Sequence, residues 1–242
     1  MADLNYGEWT VDAVRQDRQQ ANDKTEILKL REGRNILRFL PPPKGQGSPF
    51  TVVWQHYVEG LDGNRIIFAC PLKNHKQHCP VCEKANQLSR TGNPVDREQA
   101  YQLWPKMRVF AEVVDMDNPH SGPQVFAFGK LIYEQLVKIR TDSRLGGNFT
   151  DPEDGFDIII DRSGSGKFDT RYTVNSDKLN ASALEDFTWL DYRNDLDRFK
   201  TAAPTHVIDN AAKAVGADFG PVIDALPTPT GRTIADDIAD MG

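Results

Sequence analysis

Three cysteines and one histidine are spaced like the ligands of a metal site. Their order along the chain is His56, Cys70, Cys79 and Cys82, and the last two enclose a Cys-Pro-Val-Cys run. Thiolates and an imidazole are ligands that suit tetrahedral zinc. A complete set of three cysteines and one histidine leaves no open coordination position for a substrate. The pattern therefore predicts a structural Zn²⁺ site rather than a catalytic one.

The fourth ligand has three candidates among the histidines. His75 and His78 lie inside the loop that joins Cys70 to Cys79, whereas His56 lies in an earlier strand pattern. His78 is adjacent to Cys79 and would crowd a four-ligand site, so His56 is preferred. A Cys-x-x-Cys pair at a helix start also occurs in thioredoxin-type redox sites. The third cysteine and the lack of a surrounding βαβ pattern argue against that alternative.

The elements that must position these ligands lie in a strand-rich segment. Short β-branched or aromatic runs between Gly, Pro and Asp turns predict strands at 35–40, 51–58, 65–69, 106–114, 124–128, 156–161 and 167–174. Helical spacing predicts helices at 83–90 and 129–140. A helix inserted in a strand series is typical of the OB-fold. We therefore predict a mainly β (α+β) protein, an OB-fold barrel with an inserted zinc subdomain at about 56–90.

Composition divides the chain into four regions. Residues 1–26 are polar and predict an N-terminal arm, and residues 27–180 form the OB-fold core. A third region, 181–226, is predicted to be helical because its large apolar residues recur near helical spacing. These residues are Leu184, Phe187, Leu190, Leu196 and Phe199. Proline and glycine lead into residues 227–242, which we expect to be a flexible, disordered linker and an acidic C-terminal tail.

The charge of the chain is unevenly distributed. The net charge is −6, yet residues 24–180 carry 22 basic and 19 acidic side chains, so the acidic excess lies at the two ends. A mildly basic middle allows a nucleic-acid surface on the core. No apolar run of membrane-spanning length and no signal-peptide pattern is found, so we expect no membrane association and a cytoplasmic location.

Basic and aromatic residues alternate on the strand predicted at 106–114. Lys106, Arg108 and Phe110 share one face of it. Cations that contact phosphates and rings that stack on bases suit a single strand of any sequence. The predicted single-stranded DNA surface adds residues from neighbouring elements that follow the same pattern. It consists of Arg34, Arg38, Tyr57, Lys106, Arg108, Phe110, Phe126, Lys130, Lys167 and Arg171.

The sequence offers no clear catalytic cluster. Residues 162–168 resemble a phosphate-binding loop, but Asp161 stands where the first glycine is required and Phe168 replaces the Ser or Thr. Asp115 and Asp117, like Asp151 and Asp154, fall where turns are expected and are weak candidates for a magnesium-dependent nuclease. We expect no enzyme activity. The main alternative to DNA binding is a zinc-stabilised protein-interaction module, an accessory factor in transcription or recombination.

Four segments resemble the zinc-containing single-stranded DNA-binding proteins of tailed phages, the family of the T-even helix-destabilising protein. They are 30–41 (LREGRNILRFLP), 54–57 (WQHY), 79–83 (CPVCE) and 122–130 (GPQVFAFGK). The resemblance covers about residues 27–175 and implies an OB barrel with a zinc subdomain. By position it implies the ligands His56, Cys70, Cys79 and Cys82.

The resemblance also implies a biological role and partners. Members of this family coat single-stranded DNA during phage replication, recombination and repair in the host cytoplasm, and their acidic C-terminus recruits replication and recombination proteins. The matching tail residues are Ile234, Asp236, Asp237, Ile238, Asp240 and Met241. The resemblance also implies self-association on DNA, which in the T-even protein uses a basic N-terminal arm. Residues 1–23 here carry a net charge of −3, so the same mode of cooperative coating is not expected.

Overall fold

The computed structural model describes residues 27–217 except Ser143, Ser165, Lys167, Phe168 and Tyr192. The predicted N-terminal arm, the linker with its acidic tail, and all six tail residues lie outside the described residues. The strands are β1 (Ile27–Leu28), β2 (Gly33–Phe39), β3 (Thr51–Glu59), β4 (Arg65–Ala69), β5 (Lys106–Asp115), β6 (Gln124–Phe128), β7 (Ile158–Ser163) and β8 (Arg171–Ser176). The helices are α1 (Pro71–His75), α2 (Pro80–Ser89), α3 (Pro94–Leu103), α4 (Lys130–Thr141) and α5 (Thr205–Ala214).

One mixed sheet joins all eight strands. Its main order is β1-β6-β5-β2-β7-β8, and β3 pairs with both β4 and the first half of β5. Only the short β1–β6 pair is parallel among the described ladders. Strand β5 is central because it pairs with β6, β3 and β2 in turn. The α+β character predicted from the sequence is confirmed.

The sheet has an inner and an outer face. The inner face carries Val109, Ala111 and Val113 of β5 and holds the main core, which includes Ile132 and Leu136 of α4. Four further phenylalanines contact Phe39 of β2 edge to face there, at centroid distances of 5.6–6.4 Å. They are Phe50, Phe126, Phe128 and Phe149. The inner face is thus a dense aromatic core.

Helix α4 lies against strand β8, where the ladder described for the sheet ends. Gln135 of α4 accepts a hydrogen bond from the Val174 N–H at 3.0 Å and donates to the Tyr172 carbonyl oxygen at 3.4 Å. The side-chain amide of Gln135 therefore satisfies two backbone groups of β8 that would otherwise pair with a neighbouring strand. No ladder joins β8 to β1 within the described ranges, so the closed OB barrel remains a prediction.

The outer face is covered by residues 181–200, which we call the strap. The strap was predicted to be helical, and that prediction is wrong: its described residues form the short 3₁₀ turns Phe187–Leu190 and Asp197–Lys200 and no α-helix. Helix α5, which follows the strap, is the one α-helix described after residue 180. An extended chain advances about 3.3 Å per residue against 1.5 Å in a helix. The strap can therefore reach two separate apolar clusters, one with Leu184 and Trp189 and the other with Leu196 and Phe199.

Candidate metal centre and nucleic-acid interface

Local structure around two short helices places the three cysteines. Cys70 follows β4 and caps α1, with its Sγ accepting from the Lys73 N–H at 3.4 Å. Helix α1 ends at His75, and the next residue, Lys76, has a φ of 60° that turns the chain back. Cys79 then caps α2, Pro80 occupies the first helical position, and Cys82 lies in the first turn. Proline is favoured there because its fixed φ suits a helix start.

His56 reaches the same point from strand β3. It pairs with Phe68 of β4, and the two rings stack with their centroids 5.1 Å apart. Its Nδ1 lies 2.8 Å from the Leu103 carbonyl oxygen at the end of α3. A proton on Nδ1 satisfies that carbonyl and leaves the Nε2 lone pair directed at the thiols, an arrangement common in metal-binding histidines.

The four donor atoms meet at one buried point. His56 Nε2 lies 3.3 Å from Cys79 Sγ and 3.4 Å from Cys82 Sγ, and Cys82 Sγ lies 3.5 Å from Cys70 Sγ. All four atoms lie within 4.8 Å of one another. A tetrahedral zinc with bonds of about 2.0–2.3 Å holds its ligand atoms roughly 3.5–3.8 Å apart. Both the chemistry and the spacing of the donors are compatible with a zinc site.

The protonation of these groups also favours a cation between them. Burial alone would lower the pKa of His56, but hydrogen bonds and charge from Cys70 and Cys79 raise it to about 9. Hydrogen bonds from Cys79 and Cys82 lower the pKa of Cys70, and hydrogen bonds within the same trio raise the pKa of Cys82. The cluster therefore stabilises one thiolate, at Cys70, and disfavours ionisation of a second thiol, at Cys82, because two like charges would lie close together. A divalent cation removes that conflict.

The structure distinguishes the three candidate histidines. His75 lies 2.6 Å from the Lys200 carbonyl oxygen, and His78 lies 3.0 Å from Glu83 Oε2 at the surface. His56 is the histidine that the described fold brings to the three cysteines. The position of each histidine in the sequence could not by itself identify the fourth ligand. The register of β3 against β4 directs the His56 ring toward the cysteines.

A surface of rings and cations lies on the outer face beside the metal centre. The Arg65 guanidinium lies 5.1 Å from the centroid of the Tyr57 ring. Burial raises the pKa of the Tyr57 hydroxyl, while the charges of Arg108 and Arg65 oppose that rise. Register places Gln55 of β3 opposite Lys106 of β5 on the same face. We call Tyr57, Arg65, Lys106, Arg108 and the adjacent Tyr101 the ring–cation surface.

Tyr101 and Arg65 were missed from the sequence. The Lys106 Nζ lies 3.9 Å from the centroid of the Tyr101 ring and donates to the Tyr101 carbonyl oxygen at 2.7 Å. Tyr101 is 66% exposed. It lies on α3, a polar helix whose apolar pattern is too weak to predict it. Asn93 as N-cap and Pro94 at the first helical position were the available signal.

Three residues of the predicted surface are instead buried, which corrects those assignments. Phe126 pairs with Ala111 and therefore points into the inner core. Phe110 does lie on the outer face, but the strap covers it. The Arg38 guanidinium donates to the Ser182 carbonyl oxygen at 2.5 Å and pairs with Asp157 at 3.5 Å. Arg38 therefore holds the start of the strap rather than facing a ligand.

The other predicted basic residues divide between the two ends of β5. Lys130 is exposed and follows Phe128, which pairs with Val109, so it lies toward the Lys106 end. Arg34 and Arg171 lie toward the Asp115 end, and Arg34 pairs with Asp161 at 3.5 Å. The two ends are separated by about 30 Å of strand. Lys167 lies outside the described residues.

An open groove adjoins the ring–cation surface, between the β3–β4 hairpin and helices α2, α3 and α5. Its polar lining includes Lys84, Gln99 and Gln102, and its apolar lining includes Leu88 and Leu103. Tyr57 and Arg65 line it as well. Leu103, whose carbonyl oxygen contacts His56, also lines the groove. The groove therefore connects the ring–cation surface with the cysteine–histidine cluster.

The acidic turns that were weighed as magnesium sites have protein partners. Arg31 contacts both Asp115 and Asp117, at 3.4 and 2.5 Å. Asp151 accepts from the backbone N–H groups of Glu153 and Asp154, which lowers the pKa of its carboxyl. In the described part of the chain, the cysteine–histidine cluster is the group that combines buried metal-type donors. No helix described there is long and apolar enough to cross a membrane.

A buried cluster of metal-type donors beside exposed and half-buried rings and cations suits a nucleic-acid-binding protein. The chain belongs to the family described as gp32 DNA binding protein like, which it matches over residues 31–217. This membership confirms the resemblance predicted from the sequence and supports single-stranded DNA binding. It also extends the match past residue 175, through the strap and α5. No curated protein matches the chain.

Proposed function

We propose that this protein coats single-stranded DNA without sequence preference and without catalysis, using the ring–cation surface and the adjoining groove. The observation that carries the proposal is the set of cation–ring pairs at Tyr57 and Tyr101, beside the buried centre. Rings stack on bases of any sequence, and paired bases in a duplex hide those faces. Lys106 and Arg108 would contact the phosphates of the single-stranded DNA.

A structural zinc ion belongs to the same proposal. His56, Cys70, Cys79 and Cys82 would hold it, and it would supply a cross-link between β3, α1 and α2 rather than a reactive centre. Residues of α5, among them Val207 and Ala211, pack on the ligands and complete the unit. The ion would thereby fix the position of α3, which carries Tyr101.

The roles in replication, recombination and repair, in a host cytoplasm, come to this chain from its family. The acidic tail would recruit partner proteins for these roles. The sheet, arranged as an OB-fold, would bind the single-stranded DNA. Removal of residues 227–242 should leave DNA binding intact and abolish partner capture. Self-association on DNA would appear as a cooperative isotherm on long strands.

The deciding experiment is a fluorescence-anisotropy titration of a labelled 30-base mixed-sequence strand and the matching duplex at two salt concentrations. The single strand should bind tightly and with steep salt dependence. Tyr57→Leu should weaken binding by about 1–3 kcal/mol, the range for loss of one stacked base. Phe187→Leu is the matched control, because Phe187 is a half-exposed ring on the strap.

Two outcomes would contradict the proposal. Equal, weak binding to strand and duplex would favour the zinc-stabilised interaction module instead. Consumption of the strand in magnesium would indicate a nuclease.

A further inference from the structure

The end of the strap forms a three-layer stack on the outer face of the sheet. The Phe199 ring lies parallel to the Phe110 ring, with centroids 4.0 Å apart and planes inclined by 4°. The Arg198 guanidinium lies 5.1 Å from the Phe199 centroid. The stack therefore starts in the sheet and ends in a cation at the surface.

This stack borders the ring–cation surface. Phe199 packs on the cluster that contains Val53 of β3 and Ala69 of β4. Val53 pairs with Arg108, and Ala69 pairs with Gln55, whose other neighbour is Lys106. Residues paired or adjacent on one sheet face lie about 5–8 Å apart. Phe199 is thus next to the basic residues of the proposed interface.

Helix α1, which follows Cys70, contacts the end of the strap through His75. The Nε2–H of His75 donates a hydrogen bond to the Lys200 carbonyl oxygen, at 2.6 Å. Backbone and ring are therefore fixed at residues 199 and 200. The side chains of Arg198 and Lys200 remain available, since Arg198 is exposed and Lys200 makes only a long surface ion pair of 3.7 Å with Asp197 among the contacts described.

We propose that Arg198 and Lys200 form a second basic wall of the interface and contact the phosphates of the bound single strand. This inference rests on the proposed function and names a further part of its site. Asp197 is the partner that a phosphate would replace at Lys200. Asp195 and Asp197 line a separate cavity with Pro41 and Gln46. The acidic side chains of the strap end therefore also have a site away from Arg198 and Lys200.

The test is the salt dependence of strand binding by the full chain. Arg198→Gln and Lys200→Gln should each lower the slope of log Kobs against log salt by about 0.7, and the double variant by about 1.4. Over a fourfold rise in salt, each lost contact corresponds to about 2.6-fold in affinity. Lys138→Gln is the control, because Lys138 is exposed on α4, which packs on the inner face. Its slope should equal that of the unaltered protein.

A second variant separates a supporting strap from an obstructing one. Phe199→Leu keeps an apolar side chain but removes the ring stack, and it should weaken strand binding because Arg198 loses its support. Tighter binding by Phe199→Leu would overturn the inference, since the strap would then compete with the strand. An unchanged slope in the double variant would also overturn it while leaving the proposed function intact. Failure of the unaltered protein to bind a single strand would instead overturn the proposed function.

Discussion

The Nδ1 atom of His56 lies 2.8 Å from the carbonyl oxygen of Leu103, so the last turn of α3 fixes the orientation of a ring that belongs to β3. This contact joins two parts of the candidate interface. It ties the helix that carries Tyr101 to the strand that carries Tyr57. A metal held by the cysteine–histidine cluster would therefore affect the geometry of the ring–cation surface through this contact.

Substitution of a ligand should remove the metal, whereas substitution of a neighbouring histidine should not. Purified protein should contain one zinc per chain, and His56→Gln or Cys79→Ser should lose it because a four-ligand site is left incomplete. His78→Gln is the control, since His78 contacts Glu83 at the surface. Metal analysis with thermal unfolding measures both effects. Metal-free protein that remains fully folded would contradict a structural role.

Zinc affinity should rise with pH up to about 9. The pKa of His56 is raised to about 9 in the metal-free chain, so below that pH the ring is protonated and zinc must displace the proton. Above about 9 this contribution should level off, because the ring is then neutral. Competition against a chromophoric chelator between pH 7 and 10 measures the trend. An affinity that is constant from pH 7 to 9 would argue that zinc displaces no proton from the imidazole or from the thiols of the cluster.

Loss of Arg193 should destabilise the protein strongly. Its Nη1 lies 2.7 Å from Glu112 Oε2, and its Nη2 donates to the Pro41 carbonyl oxygen at 2.6 Å. Arg193→Met would leave the buried Glu112 carboxylate without its cation, at a cost of about 3–5 kcal/mol in the free energy of unfolding. Arg144→Met should change it by about 0–1 kcal/mol, because that exposed pair is screened.

Chemical denaturation compares the two variants. Arg144 is a suitable control because its side chain is 90% exposed and pairs with Asp142 at 3.4 Å. Equal stability of the two variants would show that the Arg193–Glu112 pair does not anchor the strap.

Gln135→Leu should loosen the edge of β8. The substitution preserves much of the side-chain volume but leaves the Val174 N–H and the Tyr172 carbonyl oxygen without their partner on α4. A lost hydrogen bond to a partly buried backbone group costs about 1–3 kcal/mol. Amide hydrogen exchange should accelerate at Val174 and stay unchanged at Val109, deep in β5. Unaltered exchange at Val174 would mean that Gln135 does not cover this edge.

Local patterns in the sequence were sufficient for seven of the eight described strands and for the three cysteines of the buried cluster. The strands at 65–69 and 124–128 have the predicted bounds, because their β-branched and aromatic runs end at clear turn residues. The three cysteines were accessible because the chain contains no others, whereas His56 was one of three candidate histidines. These are short-range properties of the chain.

Long-range contacts account for the failures. Alternation along β5 places Phe110 on the outer face, but nothing near it in sequence indicates that Phe199 covers it. Arg38 is buried for the same reason, because its partner carbonyl at Ser182 lies 144 residues away. In the strap, helical spacing was misleading because its apolar side chains fit two separate clusters on an extended path.

The position of α5 has a consequence for synthesis of the protein on the ribosome. Val207, Ile208 and Ala211 of α5 pack on the cluster that contains the cysteines, although they lie 125–129 residues after Cys82 in the sequence. A nascent chain that has emerged only through the strap therefore exposes an apolar surface beside its metal ligands. The four donor residues emerge early in translation, whereas α5 emerges after the strap, so the apolar side of their cluster stays uncovered during the interval.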